Sequence, residues 1–251
     1  MPGRYVVAVK GPGHAGAAHT WATDHAAAAG APLLAVHVVG EAAPASAARA
    51  AEPPPRDRDT ATLQGPINPA LASFVNEDDV LVLGTDKTGF LHSRVLGVRG
   101  LQIASVVSSS VAVIPDVDLR FRSGVVAGID REGTAAGVAY AAAAEAAALS
   151  QPLQLIHSSF TGGSTTGVDA RTVLTVARSS VERRWPDLAV RTRMTARPPA
   201  EALLDASRNA TLLVVGPGRA PVDTPFASVV HDVLININAP VLIARPPRAS
   251  S

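Results

Sequence analysis

The hydrophobic residues of this chain fall into short, nearly continuous runs that alternate with longer stretches of mixed character. Runs near residues 4–10 and 33–39 are apolar at almost every position, as in strands buried on both faces of a parallel sheet. The alanine-rich stretch at 17–29 lies between them, ends at Gly30 and predicts a helix. Strands that alternate with helices in this way indicate an α/β fold with helices on both faces of the sheet.

The same order of elements occurs twice along the chain. Lys10 and Asp130 end corresponding first strands 120 residues apart, and Gly84 and Gly216 follow corresponding fourth strands 132 residues apart. The two offsets differ, so there are insertions or deletions, but the order of the strands is the same. Matching strands in matching order predict two domains of one fold arranged head to tail.

We place the first domain at residues 1–118 and the second at 119–251. In the first, the pattern predicts further strands near 60–65, 80–84 and 111–115 and helices near 68–77 and 97–107. In the second, it predicts strands near 123–130, 153–158, 188–196, 211–216 and 240–245 and helices near 134–149, 169–185, 199–209 and 226–237.

Composition narrows the class of protein. Hydrophobic residues make up 47% of the 251 residues and aromatic residues only 4%, which predicts cores built from small aliphatic side chains. The absence of cysteine excludes disulfides, thiolate chemistry and cysteine-ligated metals. A net charge of +1 gives no electrostatic reason to expect nucleic acid or an anionic membrane as partner. With no signal-peptide core and Glu145 interrupting the alanine-rich run at 134–149, we expect a cytoplasmic protein without a membrane span.

The two copies differ in length after their second strands. His37 and Gly84 are 47 residues apart, whereas His157 and Gly216 are 59 apart, so the first copy is shorter by 12 residues. Its segment at 41–59, rich in alanine and proline, is expected to replace a helix with a solvated loop. A lid over a pocket, or an arm that binds a partner, is the alternative.

The histidines show no metal-ligand spacing. His14, His19 and His25 lie on or near one helix but do not share a face, so we expect them to be solvated. His37 and His157 occupy the same position of corresponding strands and are expected to be structural. The sequence therefore predicts no metal site.

One glycine-rich turn fits a dinucleotide fingerprint. Residues 11–16 read G-x-G-x-x-G between the first strand and the first helix. The second copy has Asp130 and then Gly133 at the corresponding turn, without that spacing, and glycine is common in any tight turn of this kind. A nicotinamide-binding enzyme therefore stays only a remote alternative.

A second glycine-rich segment carries the stronger signal. Gly84 to Gly97 leads from a buried strand toward a helix, and together with the repeated strand pattern it resembles the universal stress proteins in their tandem form. The resemblance covers nearly the whole chain. The nucleotide signature of that family is G-x2-G-x9-G-[ST], accompanied by an aspartate at the end of the first strand.

Neither copy matches this signature completely. In the first, Gly84 and Gly97 have the correct spacing, but Lys87 replaces the middle glycine, Val98 the hydroxyl residue and Lys10 the aspartate. In the second, Asp130 and Ser228 match, but the loop after Gly216 is two residues short and Arg219 replaces the middle glycine. Such changes disturb a cradle of convergent backbone N–H groups. A lysine or an arginine there could instead contact a phosphate by charge.

The resemblance implies two Rossmann-like domains of the HUP class, each with a five-stranded parallel sheet. It also implies that they pair as an internal pseudo-dimer through the strands at 111–115 and 241–245.

We expect a non-catalytic stress-response protein that regulates or binds an unidentified protein partner, with ATP bound weakly or no longer. The alternative is an ATP-binding sensor, at most a slow hydrolase, that uses the loop from Gly84 to Gly97. A homodimer of whole chains stays open. The candidate nucleotide-contacting residues are Lys10, Val38, Gly84, Thr85, Lys87, Gly97, Val98, Asp130, Gly216, Arg219 and Ser228.

Overall fold

The computed structural model describes residues 2–9, 16–40, 60–85, 102–130, 132–160, 170–217 and 228–245, with the backbone alone at 132, 170 and 228. The first half contains strands β1 (Tyr5–Val9), β2 (Leu33–Val39), β3 (Thr60–Gln64), β4 (Val80–Thr85) and β5 (Ser110–Pro115). Its helices are α1 (Ala17–Ala29), α2 (Ile67–Phe74) and α3, described over residues 102–106. The segment at 41–59 lies outside the described residues, so the loop predicted there stays a prediction.

The second half repeats this layout. Its strands are β6 (Val125–Gly128), β7 (Leu153–Ser158), β8 (Val190–Thr195), β9 (Leu212–Val215) and β10 (Val241–Ile243). Its helices are α4 (Glu132–Ala148), α5 (Ala170–Arg184), α6 (Pro199–Ser207) and α7 (Ser228–Ile235). The elements predicted from the hydrophobic pattern are present in order, with ends that differ by a few residues.

The described strands form one continuous sheet in the order β3-β2-β1-β4-β5-β10-β9-β6-β7-β8. Every neighbouring pair is parallel except β5 and β10 at the centre, which run antiparallel. There Val113 lies opposite Val241, and Val111 lies opposite Ile243. The order reads the same outward from this seam in both directions, so the two halves are related by a pseudo-two-fold axis, and the expected pairing of the last strands is confirmed.

A buried layer covers each face of the sheet. Helices α1, α4 and α5 pack on one face, and α2, α3, α6 and α7 pack on the other. Both layers cross the seam, because Ala112 and Leu242 belong to the first and Val111 and Val241 to the second. Burial of strands that are apolar at every position supplies the driving force for this arrangement.

The alanine-rich composition of α1 and α4 suits their position. Small side chains let the two helices approach each other across the seam and let α4 lie against α5. Helix α1 ends as predicted at Gly30, whose φ of 63° is left-handed and whose N–H bonds to carbonyls of the last turn. Among the described residues, no helix is long and apolar enough to cross a membrane.

Candidate functional site

The predicted nucleotide crevices lie where the parallel strands of each half end. In the first half, the described part is formed by the ends of β1, β2 and β4, which bring Val38, Gly84 and Thr85 to one edge of the sheet. In the second half, Asp130 follows β6 and Gly216 follows β9 at the corresponding edge. Lys10, Lys87, Gly97, Val98 and Arg219 lie outside the described residues, and their roles stay predictions.

The two glycines that begin the loops have a packing role of their own. A Cβ added at Gly84 would lie 3.2 Å from Ala18 Cβ, and one added at Gly216 would lie 3.1 Å from Val138 Cγ2. Ala18 and Val138 are equivalent residues of α1 and α4, 120 positions apart. A side chain at either position would therefore be tightly packed between helix and strand, whether or not a phosphate binds nearby.

Thr85 and Val38 contribute mainly to the protein interior. Thr85 is 8% exposed, and its Oγ1 lies 3.4 Å from the carbonyl oxygen of Ile114, to which it donates. Val38 is half-buried and packs against the core on the α2 face. A contact between either side chain and a nucleotide stays a prediction.

Two equivalent histidines form hydrogen bonds to the backbone at the ends of the neighbouring strands that lead into the crevices. His157 Nδ1 donates to the carbonyl oxygen of Ile129 at 2.8 Å, and His37 Nδ1 donates to that of Val9 at 3.2 Å. Because a carbonyl only accepts, the proton is assigned to Nδ1 in both rings. The structural role predicted for His37 and His157 is confirmed, and each ring holds the residue just before position 10 or 130.

The residue that follows the carbonyl bonded by each histidine differs between the halves. Asp130 is exposed at the end of its strand, whereas the equivalent position carries Lys10. A carboxylate accepts hydrogen bonds from hydroxyl and amino groups, and an ammonium only donates them. Ser228 is the first residue of α7, and a contact between its side chain and a nucleotide stays a prediction. The two halves therefore differ in sequence at position 10 and its equivalent 130, although the strands beside it match.

A buried polar cluster joins the two halves away from the crevices. Glu145 of α4 accepts a hydrogen bond from Tyr5 Oη at 2.9 Å through Oε1, and its Oε2 lies 2.6 Å from His25 Nδ1. Trp21 stacks on the His25 ring, with 3.7 Å between ring centroids. Burial raises the pKa of Tyr5 well above its usual range, and the charge of Glu145 raises it further.

The expectation that His25 is solvated was wrong. His25 is 6% exposed and Glu145 is 8% exposed, so both are buried between α1 and α4. Helical spacing alone could not reveal this, because the partner of His25 lies 120 residues further along the chain. A usable signal was present in the repeat itself, since His25 and Glu145 occupy the same position of corresponding helices.

No group of histidine or carboxylate side chains suited to a metal ion occurs among the described residues.

Comparisons with known proteins establish the fold. No protein-family model matches the chain, and no curated protein matches it. A functionally unknown protein from Pseudomonas aeruginosa PAO1 superposes with a TM-score of 0.68 and 13% identity, covering 98% of this chain and 93% of that one. A universal stress protein from Archaeoglobus fulgidus DSM 4304 superposes with a TM-score of 0.66 and 11% identity, covering 98% of this chain and 97% of that one.

A shorter match is a universal stress protein from Archaeoglobus fulgidus in complex with dAMP. It is 23% identical, covers 50% of this chain and 99% of that one, and has a TM-score of 0.41. The dAMP belongs to that protein. The full-length match to the universal stress protein from Archaeoglobus fulgidus DSM 4304 shows that this chain has the α/β fold of that protein over nearly all of its length.

Proposed function

We propose that this chain is a tandem universal stress protein that acts in the cytoplasm as a non-catalytic regulatory or interaction protein. One observation supports the proposal most directly. The two halves have the same residue, a glycine, where a helix packs closely on the sheet, but different residues where a nucleotide would bind. Gly84 and Gly216 pack alike, whereas Lys10 stands where the other half has Asp130. The crevice that holds a nucleotide in such a fold is at the carboxyl ends of the strands, which is where the halves differ.

The loop sequences support weak or lost nucleotide binding. Lys87 and Arg219 each introduce a Cβ where the family signature has its middle glycine. Three prolines after Gly216 remove backbone N–H donors from a loop that is already two residues short. Fewer converging N–H groups at a helix N-terminus leave less stabilisation for a phosphate. We therefore expect regulation through protein contact, with an unidentified protein partner.

An adenine-nucleotide sensor is the second candidate, and one described feature favours it. The Asp130 carboxylate is exposed at the end of β6, and His157 holds the preceding residue in place. In the first half, the spacing of Gly84 and Gly97 also fits the family signature, and Lys87 could meet a phosphate by charge. A sensor of this kind would bind ATP or ADP and would hydrolyse ATP slowly at most.

Denaturing the freshly purified chain and analysing the released small molecules by anion-exchange chromatography separates the candidates. A sample denatured after addition of a known amount of ATP controls for recovery. The proposal expects no stoichiometric nucleotide in the unsupplemented sample. Release of ATP or ADP would favour the sensor, and release of NAD would favour a nicotinamide enzyme that uses residues 11–16.

A further inference from the structure

A cavity of about 360 Å³ opens in the second half at the end of the sheet opposite to the nucleotide crevices. It lies where β6, β7 and β8 begin, beneath the last turn of α6. Its volume is at the lower end of the range found for small-molecule sites. It shares no residue with the candidate nucleotide positions, so a ligand bound in it would be independent of the proposed function.

The first half shows why this space is open. Arg4 and Phe74 lie at the equivalent positions there, with the Arg4 guanidinium 5.1 Å from the centre of the Phe74 ring. Gly124 replaces Arg4 at an offset of 120, and Ala206 replaces Phe74 at an offset of 132. Both Gly124 and Ala206 line the cavity. Loss of these two large side chains leaves the volume that they fill in the first half.

One polar group has been added to the same place. Gln154 replaces Leu34 of the first half, and in the sheet it lies opposite Arg191 of β8 and beside Val126 of β6. Gln154, Arg191 and Asn209 line the cavity, and none of these side chains bonds to another described residue. Leu34 at the corresponding place packs against the core.

The lining therefore combines an apolar floor with one cation and two amides. The floor is formed by aliphatic residues and a proline, among them Val126, Pro152, Ala206 and Ala210. An arginine presents a planar set of donors that matches a carboxylate, and amide side chains add donors beside it. A ligand whose apolar part lies on this floor would have its charged end beside the arginine and the amides.

We propose that this cavity is a binding site for a small organic carboxylate whose apolar ring or chain lies on Val126 and Ala206. Arg191 holds the carboxylate, and Gln154 and Asn209 orient it. The site belongs to the second half alone, since Arg4 and Phe74 occupy the equivalent space in the first.

The test uses the full chain and 4-fluorobenzoate as probe, followed by ligand-observed fluorine NMR. We expect saturable binding with a dissociation constant between roughly 0.1 and 1 mM. Neutral 4-fluorobenzamide should bind at least about tenfold more weakly, because it lacks the charge that Arg191 recognises. Failure of the acid to saturate below about 10 mM would overturn the proposal.

Matched variants locate the site. Arg191→Gln should weaken binding of the acid roughly tenfold. Arg193→Gln is the control, because Arg193 projects from the same face of β8 two residues further along but does not line the cavity. It should change binding less than about twofold. Equal losses in the two variants would contradict the assignment.

Ala206→Phe restores the residue of the first half and should abolish binding by filling the cavity. Its folding is checked by thermal unfolding, and Ala206→Leu provides a smaller filling group if the phenylalanine is not tolerated. Unchanged binding in a folded Ala206 variant would show that the probe binds elsewhere and would overturn the proposal.

Discussion

His25 Nδ1 lies 2.6 Å from Glu145 Oε2, and the two residues occupy equivalent positions of α1 and α4, 120 residues apart. Equivalent residues that lie close to a pseudo-two-fold axis face each other. Two identical domains would place histidine against histidine or glutamate against glutamate here. The pair of unlike residues instead favours contact of the first half with the second, in addition to the β5–β10 seam.

Removing Glu145 should destabilise the protein strongly. Glu145→Ala keeps good helix propensity but deprives Tyr5 and His25 of a buried partner, so we expect the free energy of unfolding to fall by about 2–4 kcal/mol. Urea denaturation measures this. Glu182→Ala is the control, since the Arg178–Glu182 pair is exposed on α5 and should contribute less than about 0.5 kcal/mol. Equal losses in the two variants would contradict a stabilising cluster.

Stability should depend on alkaline pH through Tyr5. Burial raises the pKa of Tyr5 in the folded protein above the value of about 10 that tyrosine has in an unfolded chain. The folded state thus holds the proton more tightly, and this contribution is complete below about pH 10 and is lost as the pH rises beyond it. The free energy of unfolding, measured from pH 8 to 11.5, should fall less steeply in Tyr5→Phe than in wild type. If the free energy of unfolding falls equally with pH in wild type and in Tyr5→Phe, Tyr5 is not the group responsible.

Gly84 should be required for packing even in the absence of any nucleotide. Gly84→Val places a branched side chain against Ala18, where a Cβ alone would already approach to 3.2 Å, and should cost about 1–3 kcal/mol of stability. Gly40→Val is the comparison, because nothing lies within 4 Å of a Cβ at Gly40. Thermal unfolding without ligand measures both. If the Gly84→Val protein is as stable as wild type, packing does not explain the glycine, and a role in a phosphate-binding loop becomes the better explanation.

Lys10→Asp should raise the affinity for ATP. The resemblance assigns an acid at this position to the base and ribose end of a nucleotide, and a lysine cannot accept those hydrogen bonds. One charge-assisted hydrogen bond regained is worth about 1.5–3 kcal/mol, or on the order of tenfold or more in affinity. Titration of wild type and variant side by side measures the difference. Weaker binding by the variant would mean that Lys10 itself contacts the phosphates.

Most of the fold could be predicted from the sequence because its signals are local. Strands such as β4 and β9 are apolar at nearly every position, and the alanine-rich helices end at clear signals such as Gly30. The repeat added the division into two similar halves, and the resemblance to the universal stress proteins added the pairing of the last strands at the seam. Short-range pattern, duplication and resemblance together are therefore enough for this topology.

The contacts that depend on distant partners could not be predicted in the same way. His25 has no local feature that distinguishes it from a solvated histidine, and its burial follows from Glu145 across the seam. The packing role of Gly84 and Gly216 likewise depends on how closely α1 and α4 approach the sheet. The open space beside Ala206 also depends on how α6 lies over the start of β6 and β7, which no local pattern indicates.

We propose that the chain keeps the framework of a tandem universal stress protein while its nucleotide sites have degenerated. Calorimetric titration of the intact chain with ATP and Mg²⁺ tests this most directly. We predict no saturable binding tighter than about 0.1 mM, which corresponds to roughly −5.5 kcal/mol. Saturable binding tighter than this, at one or two molecules of ATP per chain, would contradict the claim.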